Sequence, residues 1–160
     1  MRTETITKKY LEFSELTEDQ KEKAIEINFS AGWHYEIAME ERIRSLEGLA
    51  KVLDADIDYS LSCVPDRGEK ITVNPRERSG YELNFESLKE IADEDCPFTG
   101  VCYDDDLLEG LKKNGFDESG LKRTFRDYIK SIHDEYETMT SPEEINELCE
   151  ANEYEFDADT

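Results

Sequence analysis

An excess of negative charge is the feature that most limits how this chain can fold. Its 160 residues include 41 aspartates and glutamates against 19 lysines and arginines, for a formal net charge of -22 at pH 7. Repulsion on this scale opposes compaction and keeps a protein soluble. From Ser131 to the last residue there are 11 acids and no lysine or arginine. Because phosphate backbones are also anionic, we expect no direct nucleic-acid binding and, instead, a basic protein partner.

The aromatic residues indicate that the chain folds despite this charge. Hydrophobic residues make up 37% and charged residues 38% of the sequence, a balance close to that of disordered chains. The 7 Phe, 8 Tyr and 1 Trp extend from Tyr10 to Phe156, and each can bury on the order of 150–250 Å². We therefore expect a single compact domain, residues 1–160, with a strongly acidic C-terminal segment at residues 131–160.

Two helices are predicted in the first third of the chain, after a short strand near Tyr10. Thr17 and Gln20 have the spacing of a capping box, which predicts a helix from there to about Phe29, ended by Gly32. Apolar residues then recur every three or four positions, the period of a second helix. These positions are Met39, Ile43, Leu46, Ala50 and Leu53.

An antiparallel sheet is predicted next, because apolar and polar residues alternate on both sides of a turn. The alternating positions are Ile57, Tyr59, Leu61 and Cys63, then Ile71 and Val73. The turn is Pro65–Gly68, in which proline fixes φ and glycine accepts a positive φ. A further alternation predicts a third strand through Tyr81, Leu83 and Phe85.

The second half of the chain predicts helices, followed by a short strand near Tyr154–Phe156. A short helix begins near Phe85, and acids at residues 104–106 cap a helix that ends near Asn114. A longer helix to about Met139 has apolar positions at Leu121, Phe125, Ile129 or Tyr128, and Ile132. Ser141 and Pro142 are typical of a helix start, and that helix runs to about Ala151. The predicted class is α+β, a small antiparallel sheet with four to six surrounding helices.

The sequence favours neither a metal site nor a cofactor. The four cysteines are Cys63, Cys96, Cys102 and Cys149. They lack the two tight pairs of a zinc site, so we expect buried, reduced thiols. Residues 104–106 are consecutive acids, and the sixth position from the first of them is Glu109, where a calcium loop needs glycine.

Catalytic motifs are also missing from the sequence. His34 and His133 are the two histidines, and neither lies in a nucleophile elbow or beside a plausible triad. There is no phosphate-binding glycine loop and no dinucleotide fingerprint. We expect a protein that is not an enzyme; a metal-dependent enzyme that uses His34 or His133 with the acids is a minor alternative.

Ten acidic residues are the predicted partner-binding site. They are Asp104, Asp105, Asp106, Asp134, Glu135, Glu137, Glu143, Glu144, Glu147 and Glu150. On a helix, carboxylates three or four positions apart repeat about every 5–6 Å, so they can imitate a row of phosphates. The charge of -22 far exceeds the magnitude of about 2–8 that is adequate for solubility. The alternative is a solvated face that contacts nothing.

Three segments carry a resemblance to a known group of proteins. They are Tyr10–Leu16 with Lys23–Ile25 and Trp33, the central Phe98–Cys102 with the acids at 104–106, and Cys149–Phe156. In these segments the chain resembles a family of small acidic proteins encoded by phages and mobile elements. Where the family often has a glycine- and serine-rich hairpin, this chain has Val64–Gly68.

The resemblance implies a phage context, in which small acidic proteins include anti-CRISPR and anti-restriction inhibitors, and it brings no catalytic residues. We expect an acidic DNA mimic that binds the basic nucleic-acid channel of a host defence nuclease, such as a Cas effector or a restriction enzyme. Its expected location is the cytoplasm of the bacterial host, with no membrane contact. The alternative is a non-enzymatic accessory or antitoxin-like protein with another basic partner, whose binding would depend on exposed aromatics such as Tyr103 or Tyr136.

Overall fold

The structure is a computed structural model that describes residues 9–28, 33–63, 65–100 and 102–157, without the side chains of residues 26–28, 33–35 and 79. The helices in these ranges are α1 (Glu18–Asn28), α2 (Trp33–Val52), α3 (Phe85–Glu90), α4 (Tyr103–Asn114), α5 (Glu118–Met139) and α6 (Pro142–Ala151). The strands are β1 (Tyr10–Glu12), β2 (Ala55–Ser60), β3 (Lys70–Pro75) and β4 (Glu155–Asp157). They form two antiparallel pairs, β1 with β4 and β2 with β3. The predicted α+β class is confirmed.

The chain divides into two compact units. The terminal unit combines the residues up to Trp33 with those from Glu137 onward, and the central unit is His34–Tyr136. The acidic segment predicted at residues 131–160 is therefore shared between the two units.

The terminal unit joins the two ends of the described chain. Tyr10 pairs with Asp157 and Leu11 with Phe156 in the β1–β4 register. Its core consists of Phe13, Leu16, Ala24, Ile145 and Cys149, all buried. Both end strands were predicted from their apolar residues, but nothing in the local pattern indicated that they pair with each other.

Helices α1 and α6 begin as their capping residues predict. The Thr17 N–H donates to Gln20 Oε1 at 3.0 Å, and the Gln20 N–H donates to Thr17 Oγ1 at 3.4 Å. At α6, Ser141 Oγ accepts from the Glu144 N–H at 3.3 Å, with Pro142 as the first helical residue. Phe29 and Gly32, where the first helix was predicted to end, lie outside the described residues.

Helices α2, α4 and α5 supply most of the central core. Its buried residues include Leu46, Leu49 and Leu53 of α2, Leu107, Leu108 and Leu111 of α4, and Leu121, Phe125 and Tyr128 of α5. On α5 the alternative between Ile129 and Tyr128 is resolved in favour of Tyr128, which is 2% exposed. The predicted apolar period of α2 is confirmed, but Met39 and Ile43 are only half-buried.

The predicted hairpin is present, with register from Ala55 opposite Pro75 to Ser60 opposite Lys70. Residues 61–63 and 65–69 lie in its connecting loop, in which Asp66 and Gly68 have φ values of 62° and 80°. Leu61 and Cys63 were predicted in the first strand, but they lie in this loop.

The predicted third strand is wrong. Gly80 and Tyr81 both have positive φ, 69° and 64°, which reverses the chain where an extended segment was expected. Asn84 then caps α3, because its side chain accepts from the Ser87 N–H at 3.1 Å. Turn and cap chemistry therefore override an alternation of only three apolar residues.

The prediction of buried cysteines holds for only part of the set. All four thiols are free, and Cys149 is buried. Cys63 is half-buried, whereas Cys96 and Cys102 are exposed, which corrects the prediction for these two. Both exposed thiols lie in the segment between α3 and α4, which also contributes the buried Ala92 and Phe98 to the core.

Candidate functional site

Asp104 was predicted to contact a partner, and the structure corrects this prediction. Its side chain is fully buried at the start of α4. One carboxylate oxygen accepts from the backbone N–H groups of Phe98 and Thr99 at 2.8 and 2.7 Å. The other accepts from the Gly100 N–H at 3.0 Å and from the Ser45 hydroxyl at 2.5 Å. Asp104 therefore holds the segment before α4 against α2.

Asp106 and Glu135 are also engaged within the protein, because both face Arg42. The Arg42 side chain is 3% exposed, and its Nε and Nη2 donate to Glu135 Oε2 at 3.2 and 2.6 Å. Its Nη1 donates to Asp106 Oδ2 at 3.3 Å and to Ser131 Oγ at 3.0 Å. A buried arginine thus uses two of the ten predicted carboxylates.

Two tyrosines enclose the same guanidinium. Its carbon lies 4.1 Å from the ring centroid of Tyr103 and 5.1 Å from that of Tyr128. The Tyr103 hydroxyl donates to Glu135 Oε1 at 2.7 Å, and the Tyr128 hydroxyl donates to the Arg42 carbonyl at 3.1 Å. Tyr103 and Tyr136 were expected as exposed aromatics, but both are half-buried, and that expectation is wrong.

The environment of this cluster shifts its titrating groups. Burial raises the pKa of Tyr103 to about 12, with a further contribution from its hydrogen bond to Glu135. Burial also raises the pKa of Asp106, although the charge of Arg42 acts in the opposite direction. A cluster whose groups bind one another in this way links α2, α4 and α5, and it is better suited to a structural role than to ligand binding.

The acids of α6 differ from Asp104, which is buried, and from Asp106 and Glu135, which pair with Arg42. We call Glu143, Glu144, Glu147 and Glu150 the α6 acidic face; all four are exposed. Ile145 and Cys149, 1% and 2% exposed, mark the buried side of this helix. With 3.6 residues per turn, the four glutamates all project from the side opposite those two residues.

Within the described part of the chain, no lysine or arginine forms an ion pair with the α6 acidic face. The Glu150 carboxylate accepts a hydrogen bond from the Asn146 side chain at 2.7 Å. Glu143 and Glu144 lie in the first turn, where the helix dipole favours negative charge. The face is therefore a row of carboxylates that no basic side chain among the described residues neutralises.

The three remaining predicted acids are exposed but do not belong to this face. Asp105 lies in the first turn of α4, and Asp134 lies 3.8 Å from the Lys130 ammonium on α5. Glu137 is near the end of α5. Of the ten predicted residues, the structure thus gathers four on one helix face.

Arg42 is the residue that the sequence prediction missed. It lies four positions before Leu46 and seven before Leu49, on the same core-facing stripe of α2. An arginine at such a position needs carboxylate partners, so the helical period alone could have indicated a buried ion pair.

The described residues contain no group of three or more His, Cys, Asp or Glu that could hold a metal ion. The side chain of His34 lies outside the description, and His133 lies on α5. Among the described residues, none of the helices combines the length and the hydrophobicity of a membrane-spanning segment. Comparison of the chain with protein-family models, curated proteins and solved structures finds no match.

Proposed function

We propose that this protein is an inhibitor that places the α6 acidic face in the basic nucleic-acid groove of another protein. The proposed target is a host defence nuclease such as a Cas effector or a restriction enzyme, which the inhibitor would meet in the bacterial cytoplasm. The observation that carries the proposal is the exposure of four glutamates on the side of α6 opposite its buried residues.

The spacing of these carboxylates supports mimicry of a polyanion. Glu143, Glu147 and Glu150 follow one another at four and three positions, so the two steps rise about 6 Å and about 4.5 Å along the axis. A groove that binds nucleic acid offers lysines and arginines to a row of negative charges. Complementary charge also speeds the encounter by long-range steering.

Anchoring of the helix supports the proposal as well. Ile145 and Cys149 fix α6 in the core of the terminal unit, and the Ser141 cap fixes its first turn. The backbone that carries the glutamates is thus ordered before binding, which reduces the entropy lost on association. Binding alone would block the target, so the proposal requires no catalytic group and no cofactor.

A competition experiment with a matched control tests the proposal. The test variant carries Glu→Gln at positions 143, 144, 147 and 150, and the control carries Glu→Gln at positions 82, 86, 90 and 94, which are also exposed acids. Each variant removes four negative charges and changes the formal net charge from -22 to -18. Binding to purified Cas effectors and restriction enzymes is measured at low and high salt, with and without their nucleic acids.

We expect the unmodified protein and the control to bind one such enzyme, with loss at high salt and displacement by its guide or target nucleic acid. The α6 variant should lose binding while its circular dichroism is unchanged. Equal binding by both variants would rule out the α6 acidic face. Capture of a basic partner without a nucleic-acid groove would overturn the mimicry and support an accessory or antitoxin-like role.

A further inference from the structure

Glu69 ends the loop that connects β2 to β3, and its carboxylate is held within that loop. The Arg67 N–H donates to both Glu69 oxygens, at 3.1 and 3.2 Å. The Glu69 side chain is only 8% exposed. Because the Glu69 carboxylate is held in the loop and faces inward, a contact between it and the group opposite would restrain the loop.

The group opposite is the imidazole of His133 on α5. Its Nε2 lies 3.7 Å from Glu69 Oε1, beyond the range of an N–H···O hydrogen bond. This nitrogen is buried and has no hydrogen-bond partner among the described residues. A buried polar atom without a partner costs free energy, and the Glu69 carboxylate is an acceptor that lies only just beyond hydrogen-bond distance.

We propose that protonation of His133 closes a clasp between the β2–β3 loop and α5. Uptake of one proton from water makes both ring nitrogens donors. The Nε2–H can then donate to Glu69 Oε1 after a movement of less than about 1 Å, and the bond formed is charge-assisted. Loss of the proton returns the two groups to a separation without a hydrogen bond.

Charged groups around the imidazole favour or oppose the contact between protonated His133 and Glu69. Glu69 faces it from the loop, the exposed Arg67 lies in the same loop, and Lys130 and Glu137 lie about one turn away along α5. Lys130 is close to Asp134, at 3.8 Å, and its side chain is 76% exposed, so its charge is largely screened. Hydrogen bonds from the Glu69 and Arg67 backbone N–H groups keep the pKa of Glu69 low, and the charge of His133 adds to this effect. The carboxylate is therefore ionised wherever an imidazole ordinarily titrates.

The clasp makes the order of one loop depend on pH. The opposing positive charge of Arg67 belongs to an exposed side chain, whereas Glu69 Oε1 lies 3.7 Å from the His133 Nε2, so attraction prevails at close range. With His133 protonated, the loop is fastened to α5; with His133 neutral, the loop is held only by its own turn and by the β2–β3 register. This inference does not depend on the α6 acidic face.

Amide hydrogen exchange followed by NMR tests the clasp in the full-length protein. Protection factors of the Arg67 and Gly68 amides are measured from about pH 5 to about pH 8, with correction for intrinsic exchange. We expect at least about tenfold greater protection at the acidic end, as for one charge-assisted hydrogen bond. Glu69→Gln keeps an acceptor for the Arg67 N–H but removes the charge, and His133→Gln removes the titration.

Both variants should abolish the pH dependence. Asp66→Asn is the matched control: it removes one charge from the same loop, and asparagine tolerates the φ of 62° at that position. The control should retain the full dependence. A pH dependence that persists in Glu69→Gln, or protection in the unmodified protein that does not change between the two pH limits, would overturn the proposal.

Discussion

Arg42 donates to Glu135 from two guanidinium nitrogens, although 93 positions separate the two residues in the sequence. The aromatic ring of Tyr103 covers the same guanidinium at 4.1 Å. Burial of such an ion pair costs desolvation free energy. Removal of one partner destabilises the protein more, because the charge of the other partner is left buried and uncompensated. The central unit therefore depends on a polar contact among three helices.

Replacement of Arg42 by alanine should destabilise the protein by about 3–5 kcal/mol, the usual cost of removing one partner of a buried pair. Arg42→Lys keeps the charge but loses the paired donors and the stacking on Tyr103, so its cost should be smaller but still large. Urea denaturation gives both free energies of unfolding. A loss below about 1 kcal/mol for alanine would place the cluster among weak surface pairs.

The two carboxylates that face Arg42 should respond differently to neutralisation. Glu135→Gln removes the paired acceptor and should cost about 1–3 kcal/mol, since Glu135 is partly exposed. Burial raises the pKa of Asp106, so its ionisation opposes folding, and Asp106→Asn should change stability by less than about 0.5 kcal/mol.

The raised pKa of Asp106 also predicts how its contribution to the free energy of unfolding changes with pH. Because the pKa of Asp106 is higher in the folded state, its contribution to stability is complete below the unfolded pKa of 3.8 and is lost as pH rises through the folded value. Asp106→Asn should remove this component from the acid limb of the stability curve. An acid limb identical in the two proteins would contradict the assignment.

Asp104→Asn should destabilise the segment before α4. The carboxylate accepts on both oxygens, from three backbone N–H groups and one hydroxyl, whereas the amide offers one oxygen and turns its NH₂ toward donors. Two or more donors lose their acceptor, at about 1–3 kcal/mol each. Thermal unfolding measures the loss, and binding by any variant that remains folded should be unchanged, because Asp104 is buried. Impaired binding by such a folded variant would contradict the internal role assigned to this residue.

Gly100→Ala should also destabilise the protein, in this case through a steric clash alone. A Cβ at this position would lie 2.5 Å from the Glu41 carbonyl oxygen and 2.7 Å from the Ser45 backbone nitrogen. Both neighbours belong to the α2 backbone, which cannot yield without moving the helix, so we expect a loss of about 1–3 kcal/mol. Unchanged thermal stability would show that the segment packs less closely against α2.

Alkaline titration should reveal the buried tyrosine cluster. Burial and the bond to Glu135 raise the pKa of Tyr103 to about 12, so the stability it contributes is complete below the unfolded value of 10.0 and is lost as pH rises through about 12. Near-ultraviolet absorbance follows phenolate formation. Tyr103→Phe should remove one late-titrating group, and a titration curve that is unchanged at its alkaline end would contradict the environment assigned to Tyr103.

Local sequence signals predicted most of the elements correctly. Ser141 with Pro142, and Thr17 with Gln20, set helix starts through contacts within four residues, so the printed sequence was sufficient. The alternation at Tyr81 failed because a single turn of positive φ outweighs three apolar residues.

The site was harder to predict than the fold. Residues 104–106 are three consecutive aspartates, but Asp104 is buried, Asp105 is exposed and Asp106 is paired with Arg42. Which of them reaches the core depends on how α4 packs against α2, and no local pattern fixes that packing. On α6 the outcome was simpler, because Ile145 and Cys149 already mark the inward side by their spacing.

Pairing between β1 and β4 has a consequence for biosynthesis. Tyr10 and its partner Asp157 are 147 positions apart, and translation at about 5–20 residues per second separates their appearance by on the order of ten seconds. During that interval Phe13 and Leu16 lack the Ile145 and Cys149 side chains against which they pack. A nascent chain that lacks α6 would therefore expose these apolar residues to chaperones, and the ordered row of glutamates would exist only once Pro142–Ala151 has been synthesised.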